Sequence, residues 1–153
     1  MSRILQISGV LYPENSQTNL RFPFSLCKGV RAIRICFSYA PKMLSDAALT
    51  DALIDEGFER YILPEDREVL RSLREEVKPL VNLVTLSVDS PTHYVGAAHR
   101  HDPVQEHVIG PDEGSYGFDP CEMEAGCWSL CLSVHAVVTP ECRFELSVEE
   151  VEA

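Results

Sequence analysis

The sequence predicts a single, mostly β domain over residues 1–153: an antiparallel, jelly-roll-like β-sandwich of about eight strands with a two-helix insertion at about residues 45–78. Three observations predict this fold. Large apolar residues alternate with small or polar ones from Trp128 to Val138, as in a half-buried strand. The apolar spacing becomes helical only between Ser45 and Val77. Turn-forming residues divide the other apolar runs into short segments.

The first part of the chain predicts three strands. Apolar segments at residues 3–11 and 19–27 flank a polar stretch that is rich in turn formers. A third alternating segment follows at residues 30–39. Pro41 ends this strand, because proline cannot donate a hydrogen bond to a sheet.

The insertion is predicted as two helices. Ser45 is a suitable N-cap for a helix over residues 46–61, whose apolar residues recur three and four apart. Pro64 suits the first position of a second helix that runs to Val77, with one apolar and one charged side. We expect both apolar stripes to cover an outer face or an open end of the sandwich.

The strand period returns after Pro79 and predicts three more strands, at residues 80–88, 93–101 and 104–109. Residues 110–126 contain several glycines, prolines and acids and are predicted to form a long surface loop. The last two strands, residues 128–138 and 142–148, are predicted to form a closing hairpin that turns at Thr139, Pro140 and Glu141.

Composition restricts the partners. The chain has 13 basic and 24 acidic residues and a formal charge of −11, which repels nucleic acid and anionic membrane surfaces. Proteins, small polar ligands and a second copy of the chain stay open as partners. The N-terminal segment does not fit a secretory signal, and no apolar run is long enough to span a bilayer, so we expect a cytoplasmic protein.

The six cysteines are expected to be free and mostly structural thiols, because a cytoplasmic protein meets a reducing environment. Cys127 and Cys131 lie four apart on one strand, and no Cys-x-x-Cys motif occurs. A disulfide and a cysteine zinc site are the less favoured alternatives.

Three segments carry a resemblance to a known family: residues 33–42, residues 82–100 with the Gly-Ala-Ala-His-Arg stretch, and residues 125–138 with Gly-Cys-Trp. They resemble the N-terminal β-sandwich of bacterial metallohydrolases of the polymerase-and-histidinol-phosphatase type. More distantly, they are similar to the jelly-roll domains appended to secreted peptidases. In that family the chemistry belongs to a following metal-binding domain. The resemblance therefore implies an accessory sandwich without hydrolase activity.

His99, Arg100 and His101 form the most suggestive local cluster. Residues two apart on a strand share a face, so His99 and His101 could ligate one metal ion. His107 or His93 could supply a third ligand, and Asp102 and acids of the following loop could complete the shell. The alternative interpretation is a polar strand edge that faces solvent.

Two further sets of residues could bind a ligand. Arg34, Arg100 and His135 could gather with Ser38 and Ser133 around a small anion or a sugar, although an ion pair between Arg100 and a loop acid is the simpler expectation. An aromatic platform for a sugar could consist of Tyr94, Tyr116 and Trp128, but Trp128 shares its strand face with leucines and is expected in the core.

The sequence contains no nucleophile elbow, phosphate-binding loop or dinucleotide fingerprint. We therefore predict no catalytic residues and no cofactor, and interpret the chain as a non-catalytic interaction or ligand-binding module. A separately encoded metallohydrolase is a candidate partner. The predicted working surface consists of loop segments 89–94, 96–102 and 110–121, with Tyr94, His99, Arg100, His101, Asp102 and Tyr116 as ligand-binding residues. The alternatives are a metal-dependent binder or hydrolase that uses His99, His101 and His107, and a carbohydrate-binding module.

Overall fold

A computed structural model describes residues 2–151 and contains two antiparallel four-stranded sheets. The sheets have the strand orders β1-β8-β3-β6 and β2-β7-β4-β5. The strands are β1 (Arg3–Leu11), β2 (Thr18–Leu26), β3 (Ile33–Ala40), β4 (Leu83–Asp89), β5 (Tyr94–Ala98), β6 (Val104–Ile109), β7 (Gly126–Ala136) and β8 (Cys142–Glu150). The predicted antiparallel β-sandwich of about eight strands with a helical insertion is confirmed.

The connections between strands mostly cross from one sheet to the other. Only β4 and β5 follow each other in the chain and also pair, so the predicted closing hairpin of the last two strands is wrong. β7 is an inner strand of one sheet and β8 an inner strand of the other. Both strands have an apolar face that needs cover from the opposite sheet, so the turn at Thr139 carries the chain across the sandwich.

The core consists of the inward side chains of the two sheets. Ile35 of β3 and Leu132 of β7 are fully buried, as is Trp128, whose ring lies 6.3 Å from that of Phe24. The predicted alternation of β7 is confirmed as far as Val134. Beyond this residue the pairing of β7 with β4 slips by one residue, as in a β-bulge. Val137 is therefore buried, whereas the sequence pattern placed Ala136 and Val138 on the core face.

Two predicted strands are too long. β3 begins at Ile33 rather than at residue 30, because residues 27–32 form a loop that turns at Gly29 with a φ of +96°. β5 ends at Ala98, so the segment from His99 to His101 lies outside the strand. The two histidines therefore do not share a strand face as predicted.

The insertion begins with α1 (Ala47–Tyr61), whose N-cap is Asp46 rather than the predicted Ser45. The Asp46 carboxylate accepts a hydrogen bond from the Leu49 amide at 2.9 Å, which satisfies one free donor of the first turn. The second predicted helix is shorter than expected. It comprises α2 (Arg67–Ser72) and a 3-10 turn (Arg74–Val77), and Pro64 precedes it.

Asn82 joins the insertion to the sandwich. Its buried side chain donates to the Pro41 carbonyl at 2.9 Å and to the Thr139 hydroxyl at 2.7 Å. Its carbonyl oxygen accepts from the amides of Val138 and Thr139. One side chain therefore holds the start of the insertion, its end and the turn between β7 and β8 in fixed relation.

The strand directions separate two ends of the sandwich. The insertion end carries the insertion, the connection between β5 and β6 and the turn between β7 and β8. The opposite end carries the connections between β2 and β3 and between β4 and β5. None of the helices within residues 2–151 has the length and apolar character needed to cross a membrane.

Candidate functional site

The predicted histidine cluster is not assembled. His99, Arg100, His101 and Asp102 are exposed in the connection between β5 and β6, whereas His107 points into the core from β6 and is 1% exposed. Within residues 2–151, no group of three or more histidine, cysteine, aspartate or glutamate side chains could hold a metal ion. The structure therefore gives no support to the alternative metal site of His99, His101 and His107.

His107 has a structural environment. Its Nε2 lies 3.0 Å from the Gln105 side-chain oxygen, and the Gln105 amide donates to the Asp102 carbonyl at 2.8 Å. This orientation of Gln105 makes Nε2 the donor, and Nδ1 is buried without a hydrogen-bond partner among the described residues. Burial, followed by the nearby charge of Arg100, lowers the pKa of His107, so the ring stays neutral.

His93 lies beside a serine and a glutamate but does not form a catalytic triad. The Ser90 hydroxyl is 2.8 Å from His93 Nδ1, and the Glu124 carboxylate is 3.8 Å from the same nitrogen. A triad needs the nucleophile and the acid on opposite ring nitrogens. The Ser90 hydroxyl also accepts from the amides of Thr92 and His93, so it stabilises the turn between β4 and β5.

The two other predicted residue sets are also divided. Arg34 and Ser38 lie on the outer face of one sheet, and Ser133 and His135 lie on the outer face of the other, so the predicted anion site is wrong. Arg34 is 3.3 Å from Glu106, and His135 contacts the Thr85 hydroxyl at 2.8 Å. Arg100 takes part in none of the ion pairs found in the described part of the chain.

Trp128 is confirmed as a core residue and cannot belong to a stacking platform. It donates from its indole nitrogen to the Glu124 carbonyl at 2.8 Å. Tyr94 and Tyr116 are exposed, at 58% and 85%. The predicted sugar platform therefore lacks its largest ring.

The predicted working surface is spread along the edge formed by β5 and β6. The turn at residues 90–93 lies at the opposite end, residues 99–103 lie at the insertion end, and the long loop at residues 110–125 folds back against β5 between them. This loop contributes Phe118 and Met123 to the buried residues, so it is partly structural rather than only a surface loop. A Cβ at Gly96 would overlap the Gly117 carbonyl, and this close approach requires glycine.

The six cysteines are all free. Cys131 and Cys142 are buried, as expected of structural thiols, whereas Cys27 and Cys127 are exposed. Cys36 and Cys121 are intermediate, and burial is the main reason that their pKa values are raised. These thiols are therefore protonated at neutral pH and poor nucleophiles.

A groove with mostly apolar walls lies at the insertion end, between α1 and the sandwich. We call it the α1 groove, and its volume is about 550 Å³. Leu49, Leu53, Gly57 and Tyr61 of α1 form one side, and Leu80, Val137, Val138, Pro140 and Pro13 form the other. Among its lining residues, only Glu56 and Arg60 are charged.

Large apolar side chains of the insertion are exposed to solvent, and one of them, Tyr61, lines this groove. We call them the insertion patch: Tyr61, Leu63, Val69, Leu73 and Val77. In the second helical segment Val69 is 65% exposed, Val77 45% and Leu73 38%, so the expectation that this segment covers part of the sandwich is wrong. Arg67 donates to the carbonyls of Ile62 and Glu59, which ties the second helix to the end of α1. A second groove of about 360 Å³, with Ile62 and Leu70 in its lining, shares Tyr61 with the α1 groove.

The sequence indicated the apolar stripe of the second helix but not its exposure. Gly57 is the sequence feature that could have indicated the α1 groove. A glycine inside a helix lowers the stability of the helix and often reflects a need for space. No protein-family model matches this chain, and no curated protein matches its sequence. Function is therefore inferred from the chain's own surfaces.

Proposed function

We propose that this chain is a non-catalytic accessory module that binds another protein at the insertion end of its sandwich. The observation that carries the proposal is the insertion patch, where five large apolar side chains are exposed and one of them, Tyr61, lines an apolar groove. Tyr61, Leu63 and Val69 line the second groove together, and such clustered exposed apolar surface is typical of protein interaction sites. The sandwich does not need these side chains, because its core is complete without them.

A protein is a better occupant than a metal ion or a sugar. The predicted histidine ligands lie apart, and the aromatic platform lacks Trp128. The insertion end instead offers open apolar walls with few polar groups, which suit the apolar side chains of a partner.

The resemblance to the accessory sandwich of metallohydrolases supports this choice and suggests a hydrolase as the partner. We include a cytoplasmic setting in the proposal, because six unpaired thiols fit a reducing compartment.

Site-specific photocrosslinking in cells tests the proposal. A photoreactive phenylalanine analogue placed at Val69 should give an adduct of one defined mass, and Leu63→Asp in the same chain should abolish it. The matched control carries the analogue at Tyr94, which is also exposed but lies at the opposite end. Absence of an adduct at Val69, or an equal adduct at Tyr94, would contradict the proposal.

A further inference from the structure

We propose, on the basis of the proposed function, that the α1 groove binds the apolar face of a basic amphipathic helix supplied by the partner. Three observations carry this inference: the space beside Gly57, the continuity of two grooves through Tyr61, and the acidic rim of the insertion. Each is independent of the resemblance to a known family.

Gly57 leaves open space in the wall of the α1 groove. A Cβ at this position would meet no heavy atom within 4 Å, so the structure has room for a larger side chain. Glycine in the interior of a helix costs about 1 kcal/mol relative to alanine. α1 therefore has a residue of low helix propensity at the position where a larger side chain would project into the groove.

Tyr61 connects the α1 groove to the second groove, which Leu63, Val69 and Leu70 help to form. Two adjacent apolar depressions can receive side chains from successive turns of one helix. A helix presents such anchors at positions i, i+3 or i+4, and i+7. The shape of the surface therefore favours a helical occupant with several apolar anchors.

The charge of the insertion favours a basic partner. Residues 46–78 contain ten acidic and five basic side chains. Four of the basic ones are held within the insertion: Arg71, Arg74 and Lys78 in ion pairs, and Arg67 on backbone carbonyls. The fifth, Arg60, lies over the Tyr61 ring.

Six acids have no ion pair in the described residues, and we call them the acidic rim of the insertion: Asp46, Glu56, Glu59, Glu65, Asp66 and Glu76. Of these, Glu56 lines the α1 groove and Asp66 lines the second groove. Opposite charges across an interface favour association and like charges oppose it. Lysine or arginine beside the apolar anchors of the partner would therefore meet this rim. A second copy of the chain is a poor occupant, because each copy carries a charge of −11 and the same acidic rim.

Synthetic peptides test the inference with the full chain. The probe is a peptide of about 18 residues, long enough to be helical, with leucine at the anchor positions and lysine elsewhere. The controls are the same peptide with glutamate in place of lysine, and a scrambled leucine–lysine peptide. We expect fluorescence anisotropy to show binding of the amphipathic lysine peptide that is at least tenfold tighter than that of either control.

Gly57→Trp should fill the α1 groove and weaken this binding at least about tenfold, which corresponds to 1.4 kcal/mol. Gly57→Ala is the matched control, because it strengthens the helix but adds only a methyl group, and it should bind as the wild type does. The triple variant Glu56→Lys, Glu59→Lys, Glu65→Lys changes exposed residues and should reverse the preference between the lysine and glutamate peptides. Circular dichroism checks that each variant is folded.

The inference is overturned if the amphipathic lysine peptide does not bind, if Gly57→Trp leaves its affinity unchanged, or if charge reversal does not change the preference. Dimerisation that Gly57→Trp abolishes, seen by sedimentation, would also overturn it by identifying a second copy as the occupant. A Val69 adduct in cells together with any of these results would leave the proposed function standing. Absence of the Val69 adduct in a chain without Leu63→Asp contradicts the proposed function itself.

Discussion

The sandwich and the insertion use apolar residues in opposite ways. In the sandwich, side chains such as Ile35 and Leu132 are fully buried between two sheets. In the insertion, Tyr61, Leu63 and Val69 are more exposed than buried. Both regions have regular apolar spacing in the sequence. The difference teaches that spacing predicts which face of an element is apolar, but not whether the same chain covers that face.

The two regions also differ in what their apolar surface can contribute. Burial of a valine or leucine side chain contributes about 1.5–3 kcal/mol. The sandwich has already used this contribution for folding. The exposed side chains of the insertion patch do not make this contribution in the folded chain, so we expect changes in the two regions to have different effects.

The largest expected difference comes from truncating one leucine in each region. Leu132→Ala should lower the free energy of unfolding by about 2–5 kcal/mol, because it leaves a cavity in the core. Leu63→Ala should change it by less than about 0.5 kcal/mol, because the side chain is exposed. Urea unfolding followed by Trp128 fluorescence measures both. Equal losses would mean that the insertion patch is part of the folded core.

A somewhat smaller effect is expected where the two regions join. Asn82→Ala should destabilise the protein by about 2–4 kcal/mol, because it removes the hydrogen bonds to the Pro41 carbonyl and from the amides of Val138 and Thr139. Hydrogen exchange of α1 should become faster at the same time. Asn19→Ala, an exposed change in β2, is the control and should have little effect on either measurement. Unchanged exchange in α1 would show that Asn82 does not hold the insertion.

Glycine replacements test how closely the long loop packs on the sandwich. Gly96 and Gly29 both have positive φ, at +150° and +96°, but only Gly96 faces backbone atoms of the loop. Gly96→Ala should therefore cost about 1–3 kcal/mol more than Gly29→Ala, because overlap adds to backbone strain. Thermal unfolding compares the two variants. Similar losses would mean that the loop can move away from β5 without cost.

The smallest effect is expected from a change in pH. As the pH falls from neutrality, the sandwich should lose stability before the insertion does. The pKa of His107 is lowered from 6.5, mainly by burial, so the unfolded state binds more protons as the pH falls below about 6.5. Stability from His107 is present above this pH and is lost below it, by at most about 1.4 kcal/mol per pH unit. Urea unfolding between about pH 8 and pH 5, the range in which histidine titrates, gives the free energy of unfolding as a function of pH. We expect this free energy to fall less steeply with decreasing pH in His107→Gln than in the wild type. Identical slopes would show that His107 does not titrate differently on folding.

The insertion contains no histidine, and its ion pairs should respond only in stronger acid. Hydrogen bonds from Lys78, and then from Arg74, lower the pKa of Asp51 from 3.8. Stability from this group is therefore present above pH 3.8 and is lost as the pH falls below it. The exposed carboxylate makes this contribution small.

The sequence predicted most of the strands because each has one face buried against the opposite sheet. The alternation of β3 and β7 reflects that burial directly. The alternation could not show whether the turn at Thr139 joins two paired strands of one sheet or two strands of opposite sheets. Both kinds of connection have the same side-chain pattern in the flanking strands. The turn is specified instead by contacts with Asn82, which lies far away in the chain.

The candidate site was harder to predict than the fold. The histidines are close together in the sequence, which suggests a shared site. In the structure, however, His99 is exposed after the end of β5, whereas His107 is buried in β6. The spacing of the apolar residues of the second helix, such as Val69 and Leu73, predicts an apolar stripe that the sandwich would cover. Their exposure depends on tertiary placement, which local spacing does not contain.

The position of β7 and β8 in the sheets has a consequence for synthesis on the ribosome. These strands lie between β2 and β4 and between β1 and β3, and they follow the other six in the chain. Neither sheet can assemble its four strands until residues 126–150 have emerged from the exit tunnel. Within residues 2–151, β1 and β2 have no sheet neighbour other than β8 and β7, so they must wait unpaired, and a nascent chain that stalls before Gly126 should be a substrate for chaperones.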